Sequence, residues 1–168
     1  MMSLSQPAAE IKLPDRVRAA RLLDSAGRVL ILPSPRQRKD GRRSFEARAV
    51  INSSDRVLLD WLRGLWGGWV FSPRWSSPSS WHWLVSSRRE VTDFLRVVQP
   101  FASAQKPWIA STLEFLEFQA SQPPRRRLST EAYLQIVSMH ERQQALHSLA
   151  AGRAQLRVLP EPQLLERR

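Results

Sequence analysis

The feature that most constrains the fold is a change of period at Gly27. Before it, Pro14 and Asp15 open a helical pattern that runs through Val17, Ala20, Leu23 and Asp24, and the glycine supplies the stop. After it, residues 28–33 (RVLILP) read as a strand and residues 45–52 (FEARAVIN) as a second one with rough alternation. The polar, basic stretch 34–44 joins them in a long hairpin.

The remaining segments repeat this order. Ser53 or Ser54 is placed to cap a helix that carries Asp55 in its first turn and Val57, Leu58, Trp61, Leu62 and Leu65 on one face, and Gly67-Gly68 ends it. Residues 69–74 and 80–86 form a second strand pair across a Ser/Pro turn. A helix capped by Ser86 or Ser87 then spans 88–98, with Val91, Phe94, Leu95 and Val98 at core spacing, and Gln99-Pro100 breaks it. One more helix covers 106–119 and a last one runs from Thr130 to about Leu149. The order α-β-β-α-β-β-α with added C-terminal helices predicts an α+β domain: one antiparallel sheet with helices on one face. The expected division is a flexible segment 1–13, a domain 14–119, a basic Pro/Arg linker 120–128, a helix 129–150 and a tail 151–168.

Charge narrows the partner class. The formal net charge is +11, and such a field attracts polyanions and releases their counterions, so nucleic acid is the first candidate partner. Only Lys12, Lys39 and Lys106 among the 26 basic residues are lysine, which leaves a set of arginines suited to bidentate phosphate contact. The absence of cysteine excludes disulfides, thiolate zinc sites and cysteine nucleophiles. No apolar run approaches the roughly 20 residues that span a bilayer, and the expected location is cytoplasmic. His82, His140 and His147 lack metal spacing and read as surface residues, and no phosphate-cradling glycine loop or nucleophile elbow is present.

The element order, the Gly-Gly after the second helix, the Trp81-x-Trp83 strand and Gln99-Pro100-Phe101 together resemble the LAGLIDADG homing-endonuclease family over residues 14–119. Residues 19–27 (AARLLDSAG) keep the alanine, two apolar positions, the first aspartate and the glycine of the motif that names it. The resemblance implies an αββαββα saddle that sits on DNA, with the motif helix forming a subunit seam. On that basis Ala19, Ala20, Leu23 and Asp24 are expected at a dimer interface, and one motif copy calls for a homodimer or another subunit.

The departures from the motif bear on chemistry. The family's metal-binding acid precedes the glycine, where this chain has Ala26, and a methyl group cannot coordinate a hard cation. Asp24 survives, but two residues along a helix is about 200° around it. The family's active-site lysine aligns with Gln105, with Lys106 adjacent. Arg21 stands where the family prefers a small residue that lets two motif helices pack closely. The expected function is therefore nucleic-acid binding, DNA favoured over RNA and maturase-like action included, without cofactor; Mg²⁺ enters only if cleavage persists. Two rivals stand beside it: a working endonuclease in which Glu46 or another acid replaces the lost ligand, and a protein-interaction module that uses the apolar sheet face.

Candidate contacts follow from the hairpin and the wet strand positions. Arg36, Arg38, Lys39, Arg42 and Arg43 crowd the first loop against Asp40, at the place from which flanking phosphates are reached. Arg28, Arg48, Asn52, Arg74 and His82 are the candidates on or beside the strands, and Arg125, Arg126 and Arg127 are either a phosphate grip or a solubilising linker. Leu30 and Leu32 fall opposite Val29 and Ile31, which places leucines on the expected reading face. Most of the tryptophans read as core, since Trp61, Trp81, Trp83 and Trp108 fall on apolar faces; stacking on unpaired bases is the alternative for Trp69 and Trp75.

Overall fold

The structure, a computed structural model, describes residues 11–73, 79–123 and 128–158; the side chains of Arg36 and of residues 153–158 are outside that description. Its elements are α1 (Leu13–Ala26), β1 (Gly27–Gln37), β2 (Arg43–Ser53), α2 (Arg56–Trp66), β3 (Trp69–Phe71), β4 (Trp81–Val85), α3 (Arg88–Val98), α4 (Lys106–Ser121) and α5 (Thr130–Val158). The four strands form one antiparallel sheet in the order β1-β2-β4-β3. Helices α1 to α4 pack on one face, which is the α+β layering that the periodicities predict. Among the described residues no helix is long and apolar enough to cross a membrane.

The junction of α1 and β1 has no linker. Gly27 is at once the helix C-cap and the first strand residue, with its N–H donating to the Leu23 carbonyl. A Cβ on Gly27 would lie 2.6 Å from Leu23 Cδ1 and 2.8 Å from Leu23 Cα, so the abrupt turn has room only for hydrogen. Strand periodicity then sorts the side chains. Val29 and Ile31 of β1, Ala47, Ala49 and Ile51 of β2, and Trp83 and Val85 of β4 are buried under the helices.

The glycine pair and the Trp-x-Trp strand are parts of one device. Gly67 and Gly68 both have positive φ, 76° and 80°, and a Cβ on Gly68 would approach the Leu84 carbonyl oxygen to 2.4 Å. The chain thus reverses tightly against β4, and Trp83 Nε1 donates to the Gly67 carbonyl at 2.9 Å. The Trp83 ring packs edge-on to Phe94 with centroids 4.9 Å apart, and Phe94 meets Trp66 at 5.2 Å, which forms the centre of the core.

Three local expectations need correction. Strand β1 extends to Gln37, which pairs with Arg43, so the hairpin loop shrinks to residues 38–42; a break in register between Pro33 and Gln37 takes in Pro35, which cannot donate to a ladder. Asp55, not Ser53 or Ser54, caps α2, because one carboxylate oxygen accepts from both Val57 N and Leu58 N, and Ser53 Oγ instead accepts from Asp55 N. The last helix runs on to Val158, past the expected end near Leu149. Ser87 does cap α3: its hydroxyl oxygen accepts from Glu90 N, and the hydroxyl also donates to the Glu90 carboxylate.

Helix α5 closes the edge of the sheet. Among the described residues β1 pairs only with β2, and on its other side Ile31 N donates to Gln143 Oε1 at 2.5 Å while His140 Nδ1 lies 2.8 Å from the Ile31 carbonyl oxygen. Gln143 is fully buried and donates in turn to Thr112 Oγ1 of α4 at 2.7 Å. His147 is half-buried beside β1 and stacks on Trp108 at 5.3 Å. His140 and His147 are therefore half-buried residues of the α5 latch, not surface ones, and His140 with Gln143 occupies backbone groups that an uncovered edge strand would offer to another chain.

Candidate nucleic-acid interface

Among the described residues the helices leave the other face of the sheet open, and the register arranges its residues in rows. Arg28, Val50, Leu84 and Trp69 form one cross-strand row; Asn52, His82 and Phe71 form the next; Leu30 is opposite Arg48, and Leu32 opposite Glu46. Arg28, Asn52, Trp69 and Phe71 are exposed. Arg48 is ion-paired with Glu46, so its charge is partly committed within the sheet. His82 lies nearly parallel to Phe71, with centroids 5.6 Å apart and planes at 24°. This face is more apolar than a surface made only to hydrogen-bond base edges.

The basic residues concentrate at the hairpin tip. Arg38, Lys39 and Arg43 are exposed there, and the turn is held by Arg38 N donating to the Arg42 carbonyl at 2.8 Å and by Gly41 in a left-handed conformation. Arg42 departs from its expected role. Its guanidinium donates to the Leu128 carbonyl at 3.1 Å and to Thr130 Oγ1 at 2.9 Å, and it lies over the Tyr133 ring at 5.1 Å. It holds the start of α5, because a planar fork of donors suits two acceptors and a ring at once. Behind the tip, a cleft of about 420 Å³ is lined by Arg38, Arg43 and Arg88 together with Phe45 and Tyr133. Arg88, at the start of α3, was not singled out from the sequence, since only the fold brings it to the hairpin. Arg74, Trp75 and Arg125 to Arg127 lie outside the described residues, as does the side chain of Arg36.

At the end of α1, Ala26 is exposed beside the first residue of β1. Asp24 turns away from it: one carboxylate oxygen accepts from Ser103 N at 2.8 Å and Ser103 Oγ at 3.1 Å, and the other from Gln105 N at 2.8 Å. Gln105 also donates from Nε2 to the Gly27 carbonyl at 3.3 Å, and its Oε1 is buried without a hydrogen-bond partner. The structure thus brings Asp24 and Gln105 together at the junction, while Lys106 points its exposed side chain from the first turn of α4. The donor set does not fit a hard divalent cation. An amide oxygen and a fully engaged carboxylate remain, and among the described residues no three His, Cys, Asp or Glu side chains cluster. Glu46 is no substitute within the chain. Its partner Leu32 is five registered positions along β1 from Gly27, about 17 Å at strand rise.

The faces of α1 reverse the expected pairing surface. Ala19, Ala20 and Leu23 are completely buried in the chain's own core, and Asp24 fastens the loop before α4. They serve the fold of one chain because they lie on the helix face turned to the sheet and α3. Among the described residues, the side of α1 left uncovered carries Leu13, Pro14, Val17, Arg21, Leu22 and Ser25 around a shallow, largely apolar depression, with Leu13 59% exposed.

No family model matches the chain, and none of the curated proteins matches it. Solved structures do. The homing endonuclease I-CvuI in complex with its target superposes with a TM-score of 0.65 at 11% identity, over 79% of this chain and 82% of that one. An archaeal intron-encoded homing endonuclease complexed with DNA gives 0.65 at 12% identity, over 77% and 82%. I-SmaMI bound to uncleaved DNA target gives 0.57 at 19% identity, and there the match takes in 77% of this chain but 44% of that one. The fold is that of the LAGLIDADG homing endonucleases, as the element order and the residue 19–27 pattern indicate.

Proposed function

We propose that this chain binds nucleic acid on a homing-endonuclease scaffold and does not cleave it by metal-assisted hydrolysis. The observation that carries the second half is Ala26. The helix end offers a methyl group, Asp24 accepts three hydrogen bonds from the loop before α4, and Glu46 is tied to Arg48 about 17 Å along the sheet. The first half is supported by the net charge of +11 and by exposed Arg38, Lys39 and Arg43 on one hairpin. DNA takes precedence over RNA because I-CvuI and the archaeal enzyme that share the fold were solved on DNA. The tip at Arg43 and the row at Asn52 are nine residues apart on β2, about 30 Å, which corresponds to roughly nine base-pair steps. A maturase-like role in RNA is the same chemistry on another polyanion.

Pairing of two chains belongs to this reading, through the free side of α1. Arg21 sits in the middle of that surface, so two such helices meet less closely than a seam of small residues allows, and each guanidinium needs a partner.

The test is binding and cleavage on the same pooled duplex. Four exposed cations, Arg28, Arg38, Lys39 and Arg43, predict an affinity that falls about a hundredfold between roughly 50 and 200 mM salt, with the duplex intact after incubation in Mg²⁺. Divalent-dependent nicking that disappears in a Glu46→Gln variant would overturn the non-cleaving assignment. An undetectable interaction at low salt would remove nucleic-acid binding itself and leave the apolar sheet face as a protein-docking surface.

A further inference from the structure

The far end of the open sheet face carries aromatic rings that neither the core nor phosphate contact accounts for. Trp69 is 68% exposed and Phe71 39% exposed, both on edge strand β3 and both on the face away from the helices. They follow the strand alternation: Val70 between them points inward beside Trp83. Phe71 lies against the His82 ring, 5.6 Å between centroids and 24° between planes. Trp69 shares a row with Leu84, Val50 and the exposed Arg28. Burying such rings is favourable for any partner, so what decides the occupant is spacing and charge.

We propose that Trp69 and Phe71, backed by His82, form a stacking platform for unpaired bases, so that the preferred ligand contains a single-stranded or bulged segment. This rests on the nucleic-acid reading above and deepens it. Residues i and i+2 of a strand are about 6.6 Å apart, twice the roughly 3.4 Å rise of stacked bases in a duplex. Bases held in a helix cannot both present a face to rings at that separation, whereas bases splayed out of the stack can. The same sheet face carries cations that fit a polyanion. Arg28 stands at the opposite end of the Trp69 row, three strand spacings or about 14 Å away, and Arg48, ion-paired with Glu46, is on that face two residues from Val50. An apolar protein partner would leave Arg28 facing it without a carboxylate, in a chain already carrying +11.

Anisotropy titration of the full chain tests this with four labelled probes of equal length at one salt concentration: perfect duplex DNA, the same duplex with a two-base bulge, the single strand, and the bulged sequence as RNA. The wild type is expected to favour the bulged or single-stranded probe over the perfect duplex, and the DNA and RNA arms identify the sugar. Trp69→Ala should weaken binding to the unpaired probes about tenfold, as loss of one stacked base does, and leave the perfect duplex within about twofold. Trp69→Phe should recover most of the loss, and the salt slope should not change, since no phosphate contact is removed. Equal affinity of the wild type for paired and unpaired probes, or an equal loss on all of them, overturns the platform while leaving nucleic-acid binding intact. If Trp69→Ala instead abolishes self-association in sedimentation velocity and leaves every probe bound as before, the rings cover a second copy of the chain and the proposal is wrong. No binding of any probe by the wild type removes both readings. Circular dichroism melts of the variants confirm that an exposed edge position has not unfolded the sheet.

Discussion

Trp83 and Trp69 are near neighbours on the same sheet and do opposite things. Trp83 faces the helices, is completely buried, and donates to Gly67; Trp69 sits one residue from Trp83's cross-strand partner Val70, faces away, and is 68% exposed. One belongs to a surface where every side chain is constrained by packing, the other to a surface where packing asks for nothing. The contrast extends to the residues around them. On the helix side the scaffold's devices are intact: the glycine at the α1–β1 junction, the Gly67-Gly68 reversal, the Ser87 and Asp55 caps. On the chemical side, Ala26 stands where the resemblance places an acid, and leucines and aromatic rings share the open face with its polar residues.

The sharpest way to break this contrast is to truncate both tryptophans. Trp83→Ala removes a fully buried ring and strands the Gly67 carbonyl, and is expected to cost about 3–5 kcal/mol in urea unfolding, enough to leave a domain of this size marginal. Trp69→Ala should move the same midpoint by less than about 0.5 kcal/mol. A comparable loss at both positions would mean that the open face is covered by something that stabilises the fold.

Asp24 and the arginines of the hairpin sharpen the division further. Asp24 matches the first aspartate of the motif, yet its bonds to Ser103 and Gln105 place it on the structural side. Asp24→Ala is expected to cost about 1–3 kcal/mol of stability, because two backbone amides and a hydroxyl lose their acceptor, and to leave nucleic-acid affinity unchanged once the protein is folded. Arg42 and Arg43 are adjacent and should separate in the same manner. Arg42→Ala loosens the start of α5 and lowers stability; Arg43→Ala leaves stability alone and reduces the salt slope by about one. A reversal within either pair would redraw the boundary between scaffold and binding surface.

Much of this was legible in the chain because periodicity records burial. The change of period at Gly27, the alternation in β2 and β4, and the heptad-like spacing in α3 each depend on one face meeting the core, and those elements stand where the pattern puts them. What periodicity does not record is whose core it is. Ala19, Ala20 and Leu23 form an apolar stripe that would look the same facing a partner chain, and only the packed structure assigns it to the chain itself. Polar residues hide their partners for the same reason. Arg42, His140, Gln143 and His147 act across more than 80 residues of sequence, on a turn, a strand edge and a helix start that exist only after folding. Phe71 was overlooked because a three-residue strand carries too short an alternation to declare its faces.

The smallest effect expected is also the one that reaches the covered edge of β1. Burial against Trp108 and β1 disfavours the charged imidazolium of His147 and lowers its pKa below 6.5; the hydrogen bond to the Val29 backbone opposes the shift, and the nearby Arg28 charge adds to it. With the folded pKa depressed, the unfolded chain takes up the proton more readily at acid pH. The stability that neutral His147 contributes is therefore complete above about 6.5 and is lost as pH falls beneath that value. Thermal melts from pH 7.5 down to about 5 should show a falling midpoint for the wild type and a flatter profile for His147→Gln, which cannot take up a proton in this range. An unchanged profile would show that α5 holds the strand edge through Gln143 and His140 alone. It would also imply that the edge nearest Arg28 stays covered when the medium is acid.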